Sequence, residues 1–577
     1  RRAPRREHGR QRPVEPALVG AFGGGDVSLR AGGDVNGLGV ALPANLMQVG
    51  AAPDLDDDAV FGEGLLSGNN RVLTLGQGEL VIDAGQDIRG GAFYVAKGTG
   101  RIHSNGIIGG STDGTAIAPV LALADSQFTV HARSDAEIAM GINPTIAPSS
   151  SEMADSGGQL AYFATYSDTA AIRLVSTGAD AIMPLRYSTE YMVKKFDLRV
   201  GDGTGSALLV TGKELGILPP TLQLWSFSSD IIAASENSPE TPILFPARTG
   251  QAELIAHGSI RPNANQTLIG LTLSNANPAL LASELKPKGR NELLQPFEVA
   301  LDLNSDPDSL TVLSGNPVHI GDSTAVRIVA LNGDVDRLRL DSPKAVNLFA
   351  GRDVVGLFFM GQHVGNSDVS EIVAGRDFIN PITQDQNGVI VSVGAGGRVD
   401  LHGPGRIDVI AGRNLDFGTG FGVRTLGNTK HSSLNETGAS VSAMSGLARG
   451  MDIRGFAQAY YDTDAQGAAA SHRDFFLTTI AAMTGRTGLS IESALSLFFA
   501  MPESLQRGVV LTTLFSELAQ AGNAETGGTK RGYDALATLF PLPDDNGAPA
   551  TAERYRAAYP GDMTLFFSTL QTQDGGD

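Results

Sequence analysis

The chain of 577 residues contains no cysteine. That absence excludes a disulfide framework, a thiol nucleophile and thiolate metal ligands, and it leaves packing alone to hold the fold. It also suits a chain that crosses a membrane unfolded. Long apolar runs are missing too, and no stretch has the length and apolarity of a transmembrane helix. No signal peptide is visible: the first twelve residues carry Arg1, Arg2, Arg5, Arg6, Arg10 and Arg12, with no apolar run behind them. Positive charge is scarce, with 43 Lys and Arg against 62 Asp and Glu for a net charge of -19, which argues against a nucleic-acid partner. Charged residues of both signs make up only 18% of the chain, so its surface has room for polar and aliphatic contacts.

Catalytic and metal signatures are equally thin. The nine His show neither HxxxH nor HExxH spacing. No GxSxG elbow occurs, and Gly201-Asp202-Gly203-Thr204-Gly205 matches neither a P-loop nor a dinucleotide fingerprint. Asp302 to Asp308 alternates oxygen ligands like the first half of a calcium loop, but lacks the Gly and Glu that complete one, and reads as an acidic turn. The run Asp54, Asp56, Asp57 and Asp58 reads as a solvated loop. No metal, cofactor or catalytic residue is assigned, and no Arg-Gly-Asp tripeptide is present.

What the chain has in abundance is glycine, 72 residues, nearly twice the ordinary share, as a turn-dense β fold requires. It also repeats a phrase. Val346 to Val354 reads VNLFAGRDV: alternating apolar residues, then Gly, then Asp, then a new apolar residue. Versions of it recur at Val27 to Val35, Leu80 to Ile88, Ser370 to Phe378 and Ile407 to Leu415, with a looser copy at Val326 to Val335. The expected corners are Gly32 and Asp34, Gly85 and Asp87, Gly333 and Asp334, Gly351 and Asp353, Gly375 and Asp377, and Gly412 and Asn414. The Gly is expected to supply a positive φ, and the Asp or Asn to bond its own backbone. Asp334 to Asp353 is 19 residues and Asp353 to Asp377 is 24, whereas the 37 from Asp377 to Asn414 read as two periods with a degenerate turn at Gly396-Gly397-Arg398. A period near 20 built of short strands and turns predicts a mainly β fold, a solenoid of stacked β-coils burying a continuous apolar column. About 18 coils at ~4.8 Å would make a shaft of about 85 Å.

In chain order, residues 1–19 read as a disordered basic tail and 20–110 as coils. Residues 111–200 read as degenerate coils with long loops, marked by Pro144, Pro148 and Ser149 to Ser151, and 201–447 as regular coils interrupted by a polar loop from Asn275 to Pro296. Helical spacing takes over in 448–560. Ser490 is placed to cap a helix carrying Ile491, Leu495 and Phe498. Pro502 opens another with Val510, Leu514 and Leu518 on one face and Gly522 at its end, and Arg531 to Pro541 is a shorter one. Residues 561–577 revert to strand and turn, which predicts an α-helical insertion followed by the start of a further, incomplete coil.

On VRIVALNGDV (326 to 335), SDVSEIVAGRDF (367 to 378), GPGRIDVIAGRNLDFGTGFGVRTLGN (403 to 428), RGYDALATLFP (531 to 541) and GDMTLFFSTLQTQDGGD (561 to 577), the chain resembles the filamentous haemagglutinin family of bacterial exoproteins. The match covers the region from about Leu218 onward well and the first two hundred residues thinly. The resemblance implies a right-handed parallel β-helix, an extracellular or outer-membrane-surface location, a non-enzymatic part in adhesion, and export through an outer-membrane transporter of the two-partner type. The amino-terminal secretion domain of that family is not evident here, so the chain reads as an internal or distal fragment, and the adhesion ligand is left open. Two alternatives share the scaffold. One is a polysaccharide lyase or hydrolase, which needs paired carboxylates such as Asp353 and Asp377 on neighbouring coils. The other is the shaft of a contact-dependent toxin.

Overall fold

The computed structural model describes residues 18–49, 71–111, 117–143, 159–162, 166–186, 217–235, 242–263, 268–275, 278, 288–290, 316–380, 397–428, 433–434, 436–446, 451–462, 472–501, 503–522, 528–541 and 565–569. Residues 1–17 of the basic tail, the acidic run at 54–58, Pro144 to Ser151, the 201–205 glycines, the calcium-like run, Gly396 and Pro502 lie outside them, whereas Leu18 and Val19, expected to be disordered, belong to the strand Leu18–Gly20, which pairs parallel with Gly39–Leu42.

The chain is mainly β and is built of long parallel sheets. One row of twelve strands begins at Val27–Ala31, passes through Gly78–Ala84, Ala92–Ser104 and Val120–Ala132, and ends at Ser440–Met444, each strand parallel to the next. A second sheet is made of short strands, from Val35–Asn36 to Leu415–Asp416. A third runs from Ile217–Leu218 to Val423–Thr425. The chain visits them in turn: Val326–Ala330, Val335–Asp336 and Leu338–Ser342 are followed by Val346–Ala350, Val354–Val355 and Phe358–Gln362, each directly above its predecessor. This winding is consistent with a parallel β-helix.

Alternation makes the stacking possible. Leu174, Leu224, Leu254, Ile328, Leu348 and Ile372 occupy the same register position on successive strands, each at most 2% exposed. Fully burying each such side chain is worth roughly 1.5–3 kcal/mol. The column is one continuous cluster extending from Val35 to Val441. Where a bulky residue enters, its neighbour shrinks: a Cβ on Gly100 would lie 2.3 Å from the Phe128 ring.

The row spans about 50 Å at ~4.8 Å per strand, shorter than the 85 Å that a uniform period suggests. The excess chain leaves the stack between strands. Asp34 and Asp87 occupy adjacent coils although 53 residues separate them, and Ser259 and Asp334 do so across 75. The 37 residues from Asp377 to Asn414 are likewise one coil, not two, because Val369–Ala374 pairs directly with Arg406–Ala411. Gly397 and Arg398 belong to a different corner, at the start of the third-sheet strand Arg398–His402. Excursions also pair with each other: Gln159–Tyr162 and Lys288–Arg290 form an antiparallel pair, so the expected polar loop after Asn275 contains a strand.

Among the described residues five helices follow: α1 Ile453–Tyr461, α2 Arg473–Thr484, α3 Ile491–Ala500, α4 Glu503–Gly522 and α5 Gly528–Leu539. Asp452 caps α1 by accepting from the Gly455 N–H, and Ser490 caps α3 by accepting from the Ser493 N–H. Leu495 and Phe498 are buried, as are Val510 and Leu514 of α4, around stacked Tyr461 and Phe476 rings 4.2 Å apart. None of the described helices is long and apolar enough to cross a membrane. Leu565–Thr569 pairs antiparallel with Ser440–Met444, whereas a further coil would have added a parallel strand there.

Candidate functional site: the corner ladder, the buried third corner and the outer face

The corners expected from the repeat are brought together in one line. The Asp87 N–H donates to Asp34 Oδ1 at 3.0 Å, Asp353 N–H to Asp334 Oδ1 at 3.0 Å, Asp377 N–H to Asp353 Oδ1 at 3.1 Å, and Asn414 N–H to Asp377 Oδ1 at 3.2 Å. Each carboxylate therefore holds the backbone of the next coil, not its own, which corrects the local-turn reading. The side chains bridge coils where the short corner leaves an amide without a sheet partner.

The glycines of these corners also have a different reason from the one expected. None of Gly32, Gly85, Gly333, Gly351, Gly375 or Gly412 has a positive φ. All of them but Gly32 are small because coils touch there. A Cβ on Gly375 would lie 2.2 Å from the Gly351 carbonyl oxygen, one on Gly412 would lie 2.1 Å from that of Gly375, and one on Gly85 would lie 2.4 Å from that of Gly32. Positive φ appears at the next corner instead, at Gly37, Gly90 and Gly356, with Arg337 at φ 50 in the equivalent place.

Five rungs escape the sequence reading. Asp87 accepts from the Ile107 N–H at 2.9 Å; Asp135 accepts from the Asp180 N–H and Asp180 from the Asp230 N–H, both at 3.0 Å; Asp230 accepts from the Ser259 N–H, and the Ser259 hydroxyl from the Asp334 N–H. The signal was a small residue, two or three spacers, Asp and an apolar residue: Ala132 to Ala136, Ser176 to Ala181, Ser226 to Ile231. In the longer corners Ser replaces Ala, and its hydroxyl ties the extra residue, as Ser176 Oγ does at 2.7 Å from the Ala179 carbonyl.

Asp353 in particular is poorly suited to acid–base chemistry. Burial pushes Asp353 up, but the Arg376 hydrogen bonds, the Asp377 N–H and the Arg376 charge outweigh it and hold the group below the usual carboxylate range. Arg413 pairs with Asp377 in the same way. Asp353→Ala is expected to cost about 1–3 kcal/mol, because it strands the Asp377 N–H and Arg376, while Asp353→Asn retains most of the stability. Urea midpoints of the two variants check this.

The third corner carries buried polar bridges that the repeat did not foretell. His363 Nδ1 lies 2.9 Å from the Pro404 carbonyl and Nε2 2.8 Å from Ser370 Oγ. A carbonyl only accepts, so Nδ1 holds the proton and the Ser370 hydroxyl donates to Nε2. Ser370 Oγ in turn accepts from the Val346 N–H at 3.1 Å. The Ser–His contact has the pairing of an activated nucleophile, but both residues are fully buried and Pro404, not a carboxylate, orients the ring. One coil below, Lys344 Nζ donates to the Gly250 carbonyl at 3.0 Å and pairs with Asp322 at 2.5 Å, with His319 beside them. Burial raises Asp322, yet His319 close by, the hydrogen bonds from Lys344 and the Thr324 N–H, and the Lys344 charge hold it well below the ordinary range.

The helices sit on the outer face of the first sheet at its far end. Arg507 of α4 pairs with Glu371, and the Arg406 guanidinium lies across the backbone of Gly508. Outward Val373, Ile410 and Met444 join the helical core. Within that core Glu517, 1% exposed, binds both His472 and Arg531. Burial pushes Glu517 up, but Arg531 and then His472 more than offset it. Glu517→Ala leaves the Arg531 and His472 groups without their partner, and a loss of about 3 kcal/mol is expected, confined to the helices. Hydrogen exchange of α2, α4 and α5 against the β rows checks it.

No group of three or more His, Cys, Asp or Glu side chains with metal-binding geometry occurs among the described residues. No family model, curated protein or solved structure matches the chain.

Proposed function

We propose that the chain is part of an exported, non-enzymatic bacterial surface protein of the filamentous haemagglutinin type: a right-handed parallel β-helical stalk that holds adhesive loops away from the outer membrane. Export through a two-partner outer-membrane transporter belongs to the same reading. The supporting observation is the corner ladder, in which Asp34 and Asp87, and then the coils from Asp135 to Asn414, separated by anything from 19 to 75 residues, are fastened by the same carboxylate-to-amide bond or its serine equivalent. Such a scaffold tolerates long excursions without loss of register, because each coil needs only its neighbours, and it is stable without cysteine. Excursions are where a stalk presents ligand-binding surface. Asp353 and Asp377, the candidate pair of the enzymatic reading, are by contrast each engaged by an arginine, Arg376 and Arg413, which argues against a catalytic role.

Beads coated with the purified chain test the reading. They are expected to attach to cultured host cells at least tenfold more than uncoated beads, and attachment is expected to fall when residues 276–315 are replaced by a short Gly-Ser linker. Attachment equal to uncoated beads removes the adhesive role. Depolymerisation of acidic polysaccharides by the same preparation replaces it with the enzymatic one.

A further inference from the structure

On the outer face of the first sheet, Val175, Trp225, Ile255, Val329 and Phe349 occupy one register position on five successive strands. These are positions where a solvated sheet ordinarily carries polar residues. Along the row Val175 is buried at 8% exposed, Trp225, Ile255 and Val329 are half-buried, and Phe349 is exposed at 37%. Phe227 and Leu331, 55% and 53% exposed, flank it at the ends of their strands. Contiguous exposed apolar surface rimmed by polar groups marks an interaction site.

The same row continues without a break into Val373, Ile410 and Met444. There it is covered, and what covers it is helical: these three side chains are part of the core formed by α1 to α5, and α4 crosses the face with Arg507 on Glu371. Glu371 belongs to a second, polar row beside the first, which upstream reads Arg173, Gln223, Glu253, Arg327 and Asn347. Gln223 links Arg173 to Glu253 through bonds of 2.7 and 2.9 Å, and Arg327 reaches Glu253 at 3.4 Å while its side chain remains 52% exposed. The covered stretch thus offers an apolar row and a carboxylate, and receives an apolar helix face and an arginine. The uncovered stretch offers the same apolar row and an arginine.

We propose that the row from Val175 to Phe349 is the docking site of an amphipathic α-helix from a partner protein, with an apolar stripe against Trp225, Ile255, Val329 and Phe349 and acidic side chains along the edge that meets Arg327. Five strands at ~4.8 Å present a row of about 20 Å, the length of roughly 13–14 helical residues. The site is independent of the adhesive reading, since it lies on the sheet and not on the excursions.

Trp225 is the sole tryptophan of the chain and lies within the row, so its emission reports occupancy directly. The probe is a peptide of residues 503–522 held helical by lactam bridges on its polar face, in native form and as Arg507→Glu. The Arg507→Glu peptide is expected to shift Trp225 emission saturably at micromolar concentration and to bind at least fivefold tighter than the native peptide. Phe349→Glu and Val329→Glu in the full chain are expected to abolish the shift with the β circular dichroism intact, and Arg327→Glu to reverse the peptide preference. No shift with either peptide up to 1 mM, or a shift that survives both Glu substitutions, overturns the proposal. A Trp225 shift given by oligosaccharides and not by the peptides reassigns the row to carbohydrate, and one that depends on protein concentration alone reassigns it to a second copy of this chain.

Discussion

Gly375→Ala will destabilise the chain by about 1–3 kcal/mol, whereas Gly32→Ala will change stability by less than about 0.5 kcal/mol. Both glycines stand in the same phrase, an alanine before and an Asp two residues after, and neither has a positive φ. They differ in what lies beneath. A Cβ on Gly375 would be 2.2 Å from the Gly351 carbonyl oxygen, which is backbone and has no rotamer to escape into, while one on Gly32 meets nothing within 4 Å. To admit the methyl group, two coils must separate at the corner, stretching the Gly375 N–H bond to the Ala350 carbonyl, now 2.8 Å, and the Asp377 N–H bond to Asp353, now 3.1 Å. Thermal unfolding followed by circular dichroism at 218 nm will separate the two variants. If the glycines mattered for backbone freedom, both substitutions would be mild and alike. If they matter for close approach, only the stacked one will suffer.

That contrast shows what the sequence makes legible and what it does not. The alternation of Val346, Leu348 and Ala350 declares which side is inward, and the recurrence of Gly and Asp marks a corner, so the parallel stacking and its apolar column can be read from the letters. The reason for the corner residues cannot. Gly375 and Asp377 act on the coil below and above them, and a contact between residues 24 positions apart leaves no local trace. For the same cause Asp135, Asp180 and Asp230 leave no readable phrase: at Asp135 an Arg stands in place of the Gly, and at Asp180 and Asp230 Ser176 and Ser226 stand where Ala does elsewhere and an extra residue enlarges the corner, so the phrase is broken while the bond is kept. Equal spacing was also misleading. The 37 residues between Asp377 and Asn414 look like two periods, yet a solenoid constrains the strands and leaves the chain between them free in length. The outward row Val175 to Phe349 was invisible for a related reason. Its members are 20 to 74 residues apart, and only the register assembles them.

Acid will loosen the third corner through His363. Its ring is completely buried, Nδ1–H faces the Pro404 carbonyl and Nε2 takes the Ser370 hydroxyl. Burial lowers its pKa to about 4 from the ordinary 6.5, with the Asp368 carboxylate and the Pro404 carbonyl opposing only in part. The unfolded chain therefore binds a proton between pH 6.5 and 4 that the folded chain refuses. The contribution of this residue is complete above about pH 6.5, falls as pH drops towards 4, and is level below it. A difference of that size corresponds to about 3 kcal/mol. His319, lowered by burial against its bond to Asp322, acts in the same direction one coil below. Asp341 and Asp408, raised by burial despite Arg339 and Arg406 respectively, act in the opposite one, since they take up protons more readily folded than unfolded. The comparison that isolates His363 is the urea midpoint of the native chain and of His363→Gln between pH 7.5 and 4. Glutamine keeps a donor for Pro404 and an acceptor for Ser370 but does not titrate, so the native chain will lose stability relative to the variant, by up to about 3 kcal/mol, as pH falls from 6.5 towards 4. Curves that stay parallel would mean that folding does not depress the His363 pKa.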